Sequence, residues 1–342
     1  MSSGVLYEER ELQQLLIRFP SSFKQTIPPP VKKKKIIVIA GPTGVGKTEL
    51  SMMIASAIGG EIISADSMQV YRGMDIGTAK VSLEQREKVR HHLIDVRDLK
   101  ESFNVADFFL GAYEAIKEIL AKDHVPLVVG GTGFYINALL YGPPSGPPSV
   151  PELRGQLESE MDQKGVDSLY ERLHQLDPDY AQTISGRDRH KIIRALEIIT
   201  LTHQKVSDFS RTFNPADQEY DFRCWFVHFP KETLYRRLEM RCDKMVADGL
   251  IEEVKRLEKE GLRENISASQ AIGYRQCLEF LKTTQSDHDW EEFVAQFKRA
   301  SRRYAKRQFT WFRKEPHFRW LNLEETPLHR TAEIILQDYE CN

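Results

Sequence analysis

Apolar residues along the chain follow two rhythms. Short runs at Ile36 to Ala40, Glu61 to Ser64, Val125 to Val129 and Arg223 to Phe229 end in polar or glycine-rich loops, as strands buried on both faces of a sheet do. His91 to Asp95 reads as a further short strand. Between these runs the period becomes helical. Val105, Phe108, Phe109, Ala112, Ile116 and Ile119 predict a helix from Phe103 to Lys122, and Leu234, Leu238, Met245, Leu250, Val254 and Leu257 predict a single helix from Lys231 to Glu260. Strands alternating with helices predict an α/β fold, a parallel sheet flanked by helices.

Gly142-Pro-Pro-Ser-Gly-Pro-Pro-Ser149 breaks both rhythms and reads as a hinge. After it, Pro151 to about Thr212 is helical and charged, interrupted at Asp177-Pro178, with a basic helix opening through Arg187 to Arg194. The expected organisation is a core built from 36–142 and 216–342, a helical insertion at 143–215, and a loosely attached tail at 1–35. That tail carries Glu8, Glu9 and Glu11 and then Lys32 to Lys35, unlike the acid-poor composition of a transit peptide.

Composition narrows the class. The 342 residues are 41% hydrophobic and 29% charged, with no apolar run of membrane-spanning length. Cys224, Cys242, Cys277 and Cys341 form no CxxC pair, which argues against a zinc site and a disulfide framework and for a reducing compartment. The cytoplasm is expected, with a plastid or mitochondrion left open. Net charge is −2, yet Phe293 to Lys314 holds eight Lys/Arg and no acid. Arg302, Arg303 and their neighbours, interleaved with Tyr304, Phe309, Trp311 and Phe312, point to a nucleic-acid backbone, the aromatics packing inward. A solvated helix face is the plainer alternative.

The sharpest chemical signal is Gly41-Pro42-Thr43-Gly44-Val45-Gly46-Lys47-Thr48, between the first strand and an expected helix from Lys47 to about Ile58. It fits the phosphate-binding loop G-x-x-x-x-G-K-[ST] in its proper context. The backbone and helix N-terminus face an anion, Lys47 adds a point charge, and the Thr48 hydroxyl suits Mg²⁺. Asp66, with Ser67 and Gln69, ends the second strand beside this loop; it either caps the next turn or works chemically. Gly73 to Lys80 reads as an ordered loop with a basic end. The strand that would carry a Walker B Asp ends instead in Gly130-Gly-Thr132, which weakens an ATP-hydrolysis reading. Arg237 and Arg241 lie four apart on one helix face, and Ala268 to Gln276 suits a binding loop.

GPTGVGKTEL, SADSMQVYRGMDIGTAK, HHLIDV, VVGGTGFYINALLYG, DRHKIIRALEI, QAIGYRQ and YAKRQFTWFR, in that order, together resemble the tRNA dimethylallyltransferases, or tRNA isopentenyltransferases. The likeness runs from about Ile36 to Phe312 and is to the compact bacterial or organellar type that lacks a C-terminal zinc finger. It implies a P-loop NTPase-like sheet with a tRNA-binding helical lobe. The implied reaction is transfer of a dimethylallyl group from dimethylallyl diphosphate to N6 of the adenosine 3′ of the anticodon. Asp66 would be the general base, with Thr43, Lys47, Arg241 and Mg²⁺ neutralising the leaving diphosphate. Asp66, Ser67, Met68, Gln69, Thr132, Arg154, His190, Lys191, Arg194, Gln270, Gly273, Tyr274, Arg275 and Gln276 would contact the anticodon stem-loop of a tRNA bound by a monomer. Three alternatives share the phosphate loop: an adenine-nucleotide prenyltransferase making cytokinins, a small-molecule kinase, and a non-catalytic RNA-binding scaffold. The first has no need of the basic aromatic helix or the inserted lobe. A kinase needs a nucleotide lid, and a scaffold leaves Asp66 unexplained.

Overall fold

The computed structural model describes residues 33–144, 146–209 and 219–341. The expected tail therefore lies mostly outside the described residues, as do 145 and 210–215 of the expected insertion and 216–218 of the expected core. Met1–Lys34 forms one unit, of which only Lys33 and Lys34 are described, and Lys35–Asn342 forms a second, compact unit.

The order of elements is β1 (Lys34–Ala40), α1 (Lys47–Ile58), β2 (Gly60–Ala65), α2 (Leu83–Lys88), β3 (His91–His92), α3 (Val105–Ala121), β4 (Val125–Gly130) and α4 (Gly133–Tyr141). Four helices follow: α5 (Pro151–Lys164), α6 (Val166–Leu176), α7 (Pro178–Gln182) and α8 (Arg189–Thr202). Then come β5 (Tyr220–His228), α9 (Lys231–Ala247), α10 (Leu250–Lys259), α11 (Ile266–Ser269), α12 (Tyr274–Phe280), α13 (Asp287–Phe312), β6 (Arg319–Asn322) and α14 (Leu328–Glu340). The strands form one sheet in the order β3-β2-β4-β1-β5-β6, and β2–β3, β2–β4, β1–β4 and β5–β6 pair in parallel.

The unbroken apolar runs are buried on both sides, as such strands require. In β1, Ile36, Val38 and Ala40 face a core that includes Phe108, Ala112 and Ile116 of α3. Ile37 and Ile39 face the opposite layer, with Leu50 and Ile54 of α1 and Ile335 of α14. Register then positions the site. Ala40 and Ala65 both pair with Gly130, so the residues leaving β1, β2 and β4 (Gly41, Asp66 and Gly131) emerge side by side at the carboxyl edge, where such sheets bind ligands.

Helices α5 to α8 close on their own apolar cluster, including Leu157, Met161, Leu169, Leu173, Ile192 and Leu196. Their chain breaks at Asp177, whose carboxylate caps α7 by accepting from the Tyr180 N–H. It breaks also at Gly165, which the periodicity did not foreshadow. Two further expectations need correction. The helix expected from Lys231 to Glu260 is two, because Gly249 stands at φ 101° between α9 and α10, a conformation that favours glycine. The stretch Ala268 to Gln276, expected as a loop, enters α11 and α12, and its Tyr274 and Gln276 are buried.

Both histidines of β3 have local partners: His91 Nδ1 lies 2.7 Å from Val89 O, and His92 meets Glu61. Buried Glu61 of β2 accepts hydrogen bonds from His92 Nε2 at 2.7 Å and His124 Nδ1 at 2.8 Å, with Lys122 Nζ at 3.4 Å. Burial alone would raise the Glu61 pKa, but these histidines and the Lys122 charge overcome it and bring it down to about 2. A depressed carboxylate pKa adds stability that is full above the unfolded value near 4.5 and is lost as pH falls towards 2. Glu61→Gln should therefore unfold at a lower temperature than wild type at pH 7, a loss of about 2 kcal/mol, and the gap between the two melting curves should close between pH 4.5 and 2.

Candidate active site

The loop after β1 wraps the N-terminus of α1. Gly46 holds φ 105° at the helix cap, a left-handed value that L side chains adopt at a cost, and Lys47 Nζ folds back to donate to Gly41 O and Pro42 O, both at 2.9 Å. Asp66 leaves β2 beside it. Asp66 Oδ1 accepts from the Met68 N–H at 2.8 Å and the Gln69 N–H at 3.3 Å, so the capping role is real. Because both bonds use one oxygen, Oδ2 keeps a lone-pair face free of hydrogen bonds among the described residues. The third loop contributes Thr132, whose Oγ1 accepts from the Ser67 N–H at 3.2 Å.

These loops surround a cavity of about 880 Å³. Its lining includes Thr43, Gly44, Lys47 and Thr48, Asp66 to Gln69, and from the helices Arg237, Arg241, Gln270, Tyr304 and Arg307. The structure thus brings together the phosphate loop, the candidate base and Arg241, which are 175 residues apart in Asp66 and Arg241 alone (241 − 66). Electrostatically the site is over-supplied with cations. Burial, then the neighbouring Arg241 charge, brings the Lys47 pKa down to about 7, against a smaller upward pull from Asp66. Burial also lowers that of Arg241, which has no hydrogen bond or ion pair among the described residues. Tyr304 is pushed up to about 12, chiefly by burial and then by the Asp66 charge, so its hydroxyl stays protonated and can donate.

Other expected site residues sit elsewhere. Arg194 pairs with buried Glu197 at 2.6 Å and reaches Pro147 O, tying the hinge to α8. Arg154 pairs with Glu158 along its own helix, and Arg302 pairs with Glu239 at 2.6 Å. His190, Lys191, Arg275 and Arg303 are exposed. Gln276 Oε1 accepts from the buried Gly273 N–H, and Tyr274 donates to Glu253; both are scaffold here, although Tyr274 also touches the cavity. Trp311, expected in the core, is 40% exposed, because the inward face of α13 is taken by Phe293, Phe297, Ser301, Ala305, Gln308 and Phe312.

Two residues that sequence reasoning passed over hold the cavity walls. Buried Gln308 accepts from the Thr43 N–H at 3.0 Å and donates to Gly131 O at 2.9 Å, joining the phosphate loop, the β4 exit and the basic helix. Glu253 accepts the N–H groups of Asp75, Ile76 and Gly77 (3.1, 2.8 and 3.2 Å) and the Tyr274 hydroxyl at 2.6 Å. Lys80, expected as a basic loop end, is buried instead between Asp75 and Asp95. A lone Gln on an aromatic helix and a Glu inside a helical stretch carry no local signal of these contacts.

A family model described as IPP transferase matches residues 69–315. A tRNA dimethylallyltransferase of Protochlamydia amoebophila is 57% identical over 327 residues, 96% of this chain and 93% of that protein. The chain belongs to the tRNA dimethylallyltransferase family. Among solved structures, the full-length tRNA isopentenylpyrophosphate transferase of Bacillus halodurans is 39% identical with a TM-score of 0.65, covering 90% of this chain and 97% of that one. A eukaryotic dimethylallyltransferase acting on tRNA is 28% identical with a TM-score of 0.73, covering 89% and 80%. Family membership removes the small-molecule kinase and scaffold readings.

Lys47 supplies a direct test of the anion site. An anion favours its charged form, and at pH 8 a group of pKa about 7 is mostly neutral, so binding must draw in a proton. Calorimetric titration of dimethylallyl diphosphate at pH 8, in two buffers of different ionisation heat, should report close to one proton taken up. Lys47→Arg, permanently charged, should take up almost none; equal heats in both buffers for the wild type would mean that Lys47 is already charged in the free site.

Proposed function

We propose that this chain transfers a dimethylallyl group from dimethylallyl diphosphate to N6 of the adenosine 3′ of the anticodon in tRNA, releasing diphosphate. The observation that carries the reading is that one cavity holds both halves of the chemistry: Lys47 of the phosphate loop and Arg241 of α9, neither paired with a carboxylate among the described residues, and a carboxylate with one oxygen free. Its relatives' names give the substrates.

The target adenosine leaves its stack and enters the cavity, as bases must for chemistry on their edges. As N6 bonds to C1 of the donor, Asp66 Oδ2 takes the N6 proton and the C1–O bond breaks. The Met68 and Gln69 N–H groups fix the carboxylate's direction. Lys47, Arg241 and the loop N–H groups meet the charge growing on the leaving diphosphate, an interaction stronger in the transition state than before it.

Mg²⁺ fits this site only as a passenger on the diphosphate. Among the described residues no cluster of three His, Cys, Asp or Glu could hold a metal. Thr48, on the cavity wall, would add one hydroxyl to an ion that keeps its waters and binds through substrate phosphates. When bound, the ion would offset diphosphate charge.

Exposed His190, Lys191, Arg275 and Arg303 meet RNA phosphates in this reading. The four free thiols fit a reducing compartment such as the cytoplasm.

The test is tracer dimethylallyl diphosphate with Mg²⁺ and, in separate tubes, unmodified tRNA, AMP or ATP. Label should enter the tRNA alone; equal or faster labelling of AMP would replace the tRNA reading with the free-nucleotide one. In the tRNA tube Asp66→Ala should turn over about 10² to 10⁴ times more slowly while binding tRNA normally. Wild-type turnover in that variant would leave Asp66 as a cap only.

A further inference from the structure

Trp311 and Phe134 leave a feature that neither the core nor the cavity explains. Both are large aromatics on the surface, 40% and 46% exposed, in edge contact with ring centroids 6.3 Å apart. Neither lines the cavity, but residues beside each do. Gly133, on which the Trp311 ring lies so closely that a Cβ there would sit 2.4 Å from it, is two residues beyond the lining residue Gly131. On α13, Arg307 one turn earlier and Gln308 line the cavity itself.

The charge around the pair says what would cover it. Arg303, Lys306, Arg307, Arg313 and Lys314 are exposed and form no ion pair among the described residues, and no acid occurs from Phe293 to Lys314. Trp290, at the other end of the same helix, is the contrast. It is equally exposed at 41%, but packs on Phe280 and Phe293 and has Asp287, Asp289, Glu291 and Glu292 around it in the chain. An apolar ring among unpaired cations suits a polyanion that carries aromatic faces.

We infer that Trp311, edged by Phe134, is a stacking platform for an unpaired RNA base next to the adenosine that enters the cavity. This rests on the tRNA reading above. Drawing one adenosine out of a stack strips its neighbours of a partner, and an aromatic face beside the cavity replaces that contact for any base.

The experiment measures tRNA affinity of the full chain across a range of salt, together with prenylation of tRNA. Trp311→Ala should weaken binding about tenfold to a hundredfold, the worth of one stacked base. The slope of log affinity against log salt should stay unchanged, because no phosphate contact is lost, whereas Arg303→Ala should reduce that slope by about 1. Trp311→Phe should recover most of the affinity, and Phe134→Ala should show a smaller loss of the same kind. Trp290→Ala should bind tRNA as wild type does. If Trp311→Ala proves unstable, the pair Trp311→Phe and Phe134→Ala still decides. Affinity within twofold of wild type in Trp311→Ala, or in Phe134→Ala with Trp311→Ala unfolded, overturns the platform and leaves the tRNA reading standing. A wild-type protein that neither binds nor prenylates tRNA overturns both.

Discussion

Two basic side chains, Lys47 and Arg241, share one cavity, and among the described residues no carboxylate pairs with either. Burying an unpaired charge is costly, and both groups register this as lowered pKa values. What offsets it in the free protein is small: two loop carbonyls on Lys47 Nζ and the nearby field of Asp66. In the proposed reading a diphosphate completes the set, and the site is preorganised for an anion at the expense of its own stability, a trade common at active sites.

Preorganisation requires rigid walls, and the walls here are loops. Each is held by a side chain from a distant part of the chain. Gln308 fixes the phosphate loop and the β4 exit with two hydrogen bonds, Glu253 gathers three consecutive N–H groups of the loop at 75–77, and Thr132 holds Ser67. Since Gln308 belongs to the basic helix, the element suited to RNA and the element suited to diphosphate are joined by one buried amide.

The sheet and several residues that meet in the cavity were legible in the sequence because their signals are local. Unbroken apolar runs announce strands buried on both faces, the glycine spacing with Lys47 and Thr48 announces an anion loop, and Asp66 declares itself by following a strand. The bracing contacts were not legible, since Gln308 meets Thr43 across 265 residues and nothing near either one signals it. The break at Gly249 was hidden by apolar periodicity that continues across it from Met245 to Leu250. Trp311 was misplaced for a related reason: α13 has more aromatics than inward positions, and only packing decides which stays outside.

If Arg241 is kept unpaired for the ligand, it contributes nothing to holding the free protein together. Thermal unfolding of wild type and Arg241→Met, each with and without inorganic diphosphate, tests it most directly. The free variant should melt at the wild-type temperature or above it, because an apolar chain of similar reach replaces a desolvated charge, and the diphosphate-induced rise, about 2.7 kcal/mol of stabilisation at a hundred times Kd for the wild type, should be largely lost. A variant that melts several degrees lower when free, yet keeps the full diphosphate shift, would contradict it.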